Sequence, residues 1–98
     1  MMPECGELEV RCIGSWKGFL LRMHNANLVL VTAAKGYVMC GYLNMETAER
    51  LGDAACIVTG VKGFDDLLDA KVVKVSSKAR DYGIRDGVTG KDALEILS

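Results

Sequence analysis

Proline is almost missing from this 98-residue chain, with Pro3 the only one. No linker rich in proline, glycine or serine interrupts the chain beyond it, so residues 1–98 are expected to form a single domain. Histidine is equally scarce, with His24 alone. The four cysteines, Cys5, Cys12, Cys40 and Cys56, include no CxxC pair, and their spacings of 7, 28 and 16 do not match a zinc site. Neither a metal nor a cofactor is expected. No apolar run approaches the roughly 20 residues needed to cross a bilayer. The acidic start from Met1 to Leu8 lacks the apolar stretch of a signal peptide. The expectation is a cytoplasmic protein with no membrane partner and with free thiols.

Strong charge of either sign is also missing. The formal net charge is −1, so no overall field draws in nucleic acid. The distribution is uneven. Residues 44–70 are acidic, whereas Lys71, Lys74, Lys78, Arg80, Arg85 and Lys91 face only Asp81 and Asp86 across residues 71–91. Two solvated faces account for this pattern, and nucleic acid is not an expected partner.

Hydrophobic residues are abundant, at 50 % of the chain. Residues 7–13 alternate with period two, placing Leu8, Val10 and Cys12 on the inward face of a strand. The composition of residues 14–18, with Trp16, predicts a turn. A second strand near residues 18–23 shares Phe19, Leu21 and Met23 on one face. Residues 28–32 make a third strand, apolar on both faces, and residues 37–42 a fourth after a hairpin in which Gly36 is free to adopt positive φ. Short connections predict an antiparallel meander.

The period changes after Tyr42. Asn44 caps a helix with Met45, Ala48 and Leu51 facing inward, and Gly52 ends it. Residues 54–61 form a buried strand, residues 64–70 a helix and residues 71–75 a strand. Ser76 or Ser77 caps a short helix through Tyr82, and Thr89 caps the last one, with Ala93, Leu94 and Leu97 as its core face. The fold class is α/β of the mixed α+β kind. An N-terminal antiparallel meander (7–43) continues into a mixed sheet with short packed helices (44–98).

The candidate functional residues are few. Cys40 ends a strand four residues before a helix N-cap, a place where a thiol can be activated. A thiol enzyme also needs a base, and nothing in the sequence brings His24 to it. A buried packing thiol is the competing reading. Residues 83–92 look like a phosphate loop but carry Arg85 where its first glycine belongs and Asp92 where Ser or Thr belongs. What survives is a capped helix start, Thr89-Gly90-Lys91, able to hold an anion. With Asn44, these residues are the candidates for a small-ligand or anion site at a subunit junction. The doubly apolar strands suggest a second buried surface, a homo-oligomer interface with Phe19, Leu21, Leu28, Leu30 and Tyr37. Cys12 and Cys56 read as core thiols, and Trp16 as a turn residue that packs on a neighbouring subunit.

The string from Lys35 through Cys40-Gly41-Tyr42-Leu43-Asn44, the step at Gly52-Asp53-Ala54-Ala55, Val58 through Val61, Asp66-Leu67-Leu68 and Gly87-Val88-Thr89-Gly90 together resemble the YunC-like family, domain of unknown function 1805. The resemblance spans roughly residues 27–97. It implies that the N-terminal β region is a tetramerisation element, here within residues 7–43. That family has no assigned reaction, so the resemblance gives no catalytic role to Cys40, Asn44 or Thr89. Val88 stands where the family often has methionine, an apolar exchange.

Overall fold

The computed structural model describes residues 8–98. The expectations for Cys5 and Glu7 therefore lie outside the described residues. Six strands and four short helices follow in the order β1 (Leu8–Ile13), β2 (Trp16–Arg22), β3 (Asn27–Thr32), β4 (Gly36–Met39), α1 (Met45–Leu51), β5 (Ala54–Ile57), α2 (Phe64–Asp69), β6 (Lys74–Val75), α3 (Ser77–Asp81) and α4 (Gly90–Ile96). The strands form one sheet in sequence order. β1 to β4 are an antiparallel meander, β4 and β5 run parallel, and β6 returns antiparallel. This is the expected mixed α+β fold.

Two cores flank the sheet, because β3 to β5 are apolar on both faces. Val29, Val31, Val38 and Cys56 meet Leu67 of α2, Ala79 of α3, and Ala93 and Leu94 of α4, with Leu97 beyond its end, in the larger core. Met39, Ala55 and Ile57 meet Ala48 of α1 in the smaller one. The chain therefore leaves β4 toward one face and β5 toward the other. Burying each valine, leucine, isoleucine or methionine of these cores contributes about 1.5–3 kcal/mol.

The helix ends match the cap residues. Asn44 accepts a hydrogen bond from the Glu46 N–H at 2.8 Å, and Gly52 closes α1 at φ 76°. The Thr89 hydroxyl accepts the Asp92 N–H at 3.1 Å. Ser76, the buried polar side chain of the core, accepts N–H bonds from Ala55 and Ala79 and donates to the Asp53 carbonyl.

Several expectations need correction. Leu51 is 68 % exposed. Steps of three residues drift around a helix of 3.6 residues per turn, leaving it roughly 120° from Met45. β4 stops at Met39 and β5 at Ile57, because the chain must leave the sheet to start α1 and α2. Residues 71–73 carry only an isolated bridge, from Lys71 to Thr89, before β6. Trp16 opens β2, packs against the larger core and donates from Nε1 to Ser98 Oγ at 2.8 Å.

β1 alternates with period two, but its covered face is the opposite of the one expected. Glu9 pairs with Arg11 and Arg22, and the Arg11 guanidinium lies 5.3 Å from the centre of the Phe64 ring of α2. The charged side chains thus face the helical layer, their apolar stems covering the edge of Phe64. Leu8, Val10 and Cys12 point the other way and are exposed. Cys12 is not a core thiol.

Candidate functional site

A single apolar row crosses five strands. Val10 pairs with Phe19, Phe19 with Leu30, Leu30 with Met39, and Met39 with Ile57. Alternation places all five side chains on one sheet face. α1 covers the Met39 and Ile57 end, which is buried. Leu30 and Phe19 are half-buried, and Val10 is 61 % exposed. Beside this row, Leu8 pairs with Leu21, and they are 57 % and 38 % exposed. The next row, Cys12, Lys17, Thr32 and Tyr37, is more polar and edges the patch.

The open part of the face belongs to the strands least supported by the rest of the fold. Among the described residues, β1 hydrogen-bonds only to β2 and stands at the edge of the sheet. Where α1 begins to cover the face, a groove of about 600 Å³ runs past Leu30, Tyr37, Met39 and Leu43. Tyr37 closes one side of it, its hydroxyl donating to Asp53 Oδ2 at 2.8 Å. Burial, that hydrogen bond and the nearby Asp53 charge push the Tyr37 phenol up to about 12.

The interface candidates divide between this face and the cores. Phe19 and Leu21 lie on the open face. Leu30 and Tyr37 stand at its border and pack against the smaller core. Leu28 pairs with Leu21 but packs against the larger core. Leu8 and Val10 complete the patch. They went unrecognised because alternation reveals two faces of a strand but not which one a helix will cover.

The polar candidates lie in different places. Cys40 is buried just past β4, and its Sγ accepts a hydrogen bond from the Val29 N–H at 3.3 Å. His24 sits in the exposed β2–β3 turn. Its neighbours Asn25, Ala26 and Asn27 reach the cleft beside Cys40, but His24 is not among the side chains lining that cleft. Asn44 borders a second cleft that shares Gly41, Tyr42 and Thr59 with the first. Thr89 is committed to Asp92, and the Gly90 N–H donates to the Ala70 carbonyl at 2.8 Å. Lys91 is exposed on α4. Neither cleft beside Cys40 and Asn44 includes Thr89, Gly90 or Lys91.

Burial pushes the Cys56 thiol up to about 11. Among the described residues, no three metal-ligating side chains come together, and no helix is long and apolar enough to cross a membrane.

The family model described as Domain of unknown function (DUF1805) matches residues 39–97. Uncharacterized protein YunC of Bacillus subtilis is 35 % identical over 78 residues, which span 76 % of this chain and 77 % of that protein. The crystal structure of a protein of unknown function, TA1206 from Thermoplasma acidophilum, is similar at a TM-score of 0.83 and 41 % identity. That likeness covers 93 % of this chain and 91 % of the other. This chain belongs to the YunC-like family of the DUF1805 domain.

Proposed function

We propose that this chain is a self-associating cytoplasmic module whose N-terminal sheet packs against the same sheet of further copies. The observation that carries this reading is the row from Ile57 to Val10, covered by α1 at one end and open at the other. A second copy laid on Val10, Phe19 and Leu21 offers that row the apolar partner it lacks, and Leu8 widens the contact. The outer edge of β1, which pairs with no other strand among the described residues, is a second surface able to extend a sheet. Two different self-complementary contacts close a four-copy assembly, so we propose a tetramer. A reducing compartment suits Cys12, Cys40 and Cys56, which are free thiols. No reaction is assigned to the chain.

Sedimentation velocity on wild type and on a Val10→Glu, Leu21→Glu double variant tests this reading. Both side chains are exposed within one chain, so the variant keeps the monomer fold. The expected result is a smaller sedimentation coefficient for the variant with an unchanged far-UV circular dichroism spectrum. Equal coefficients for the two proteins contradict the proposal.

A further inference from the structure

Adjacent parallel strands whose connections leave toward opposite faces open a crevice between their carboxyl ends, where α/β sheets bind ligands. β4 and β5 are such a pair, since α1 lies on one face of the sheet and α2 on the other. A cleft of about 390 Å³ occupies this position. Cys40, Gly41 and Tyr42 line it from the end of β4, and Thr59 to Lys62 from the end of β5. Its volume lies within the range of small-molecule sites.

Free peptide groups and one charged side chain line the two lips. Among the described residues, the backbone N–H groups of Gly41, Tyr42, Thr59, Gly60 and Val61 donate to no protein acceptor, and their carbonyls accept from no protein donor, so the sign of the site comes from the side chains. Lys62 adds a cation, and no carboxylate among the described residues lines this cleft, although Lys62 also borders a neighbouring pocket with Glu9, Asp65 and Asp66. Asn27 Nδ2 holds the Lys62 carbonyl at 2.8 Å, and the Lys62 N–H donates to Asp66 Oδ2 at 3.0 Å, which fixes the backbone of that lip. Val61 and the buried Cys40 supply an apolar wall, and Tyr42, 50 % exposed, offers a ring at the mouth. Peptide donors and a lysine above apolar walls suit a negative group attached to an apolar body.

We propose that this crevice binds a small organic anion, an apolar body carrying one carboxylate or phosphate group. Lys62 and the peptide N–H groups of the two loops receive the anionic group, and Val61, Cys40 and Tyr42 receive the body. Tyr42 also borders the groove on the open sheet face, but Val10, Phe19 and Leu21 do not line the crevice.

Amide NMR titrations of the ¹⁵N-labelled full chain test the proposal with 3-phenylpropionate, phenyl phosphate, neutral 3-phenylpropanamide and inorganic phosphate. The expected result is saturable shifts at Gly41, Tyr42 and Thr59 to Val61 with at least one of the two aromatic anions. Affinity for that anion should fall about tenfold in Lys62→Gln, which removes one charge-assisted contact. The side chain of Lys62 is exposed, so this variant folds. If carboxylate alone or phosphate alone binds, the anionic group of the ligand is identified. The proposal is overturned if neither anion gives saturable shifts at millimolar concentration, or if the neutral amide binds as tightly as the acid. An unchanged affinity in Lys62→Gln, or equal affinity for inorganic phosphate, overturns it as well.

Discussion

Gly36 and Ala54 are neighbours across the parallel β4–β5 pair, so close that a β-carbon on Gly36 would lie 2.1 Å from the Ala54 carbonyl oxygen. The glycine was expected to serve a turn through positive φ, but its φ is not positive. The position needs a missing side chain rather than an unusual backbone. Gly36→Ala should therefore cost about 3 kcal/mol, at the upper end for overpacking, because the clash is with backbone. Gly41→Ala, whose added carbon would sit 3.8 Å from Thr59, should stay within about 0.5 kcal/mol. Urea unfolding of the two variants measures the difference.

Ser76 holds β5 and α3 together through one hydroxyl. Its removal in Ser76→Ala leaves the buried Ala55 and Ala79 N–H groups and the Asp53 carbonyl without this partner. The expected loss is about 2–3 kcal/mol. Ser77→Ala loses an exposed hydroxyl bond to Glu49 and should cost less than about 1 kcal/mol. Equal losses in urea unfolding would show that the buried network adds nothing.

Tyr37 sets a dependence on alkaline pH. Its phenol is pushed up to about 12 in the fold, chiefly by burial and then by Asp53, against an ordinary value of 10.0. Below the ordinary value both folded and unfolded chains hold the proton, and the contribution to stability is complete. Between the two values the unfolded chain releases its proton while the fold retains it, so stability falls as pH rises. Wild type should lose stability relative to Tyr37→Phe across that interval in thermal unfolding scans. A constant difference between the two proteins would contradict the shift.

Cys12 reports on the open face without perturbing it. The thiol is exposed in one chain and lies beside the Val10 row. If copies cover that face, iodoacetamide should label Cys12 more slowly in wild type than in the Val10→Glu, Leu21→Glu variant, as read by peptide mass spectrometry. Cys40 and Cys56 are buried and should stay protected in both. Equal labelling of Cys12 in the two proteins would argue that the face is free.

Much of this fold was legible because local chemistry decides it. The period-two runs identified the meander, Asn44 and Thr89 act as caps where the sequence placed them, and Ser76 is the one of two candidate serines that caps α3. Ala93, Leu94 and Leu97 form the core face of the last helix and its end. What was not legible depends on contacts distant in sequence. Phe64 determines which face of β1 is covered, through Arg11. The crevice is assembled from two loops and a turn that meet only because α1 and α2 leave the sheet on opposite sides. Cys40 and Asn44 were singled out near it, whereas Thr59 to Val61 entered only as the end of a buried strand and as part of the family resemblance, and Lys62 carried no signal.

Static light scattering on the wild-type chain behind a sizing column, at micromolar concentration and in reducing buffer, tests the central claim most directly. Self-association through the open sheet face predicts a mass that is a multiple of the 10.6 kDa chain, fourfold for the proposed tetramer. A single peak at 10.6 kDa would contradict it.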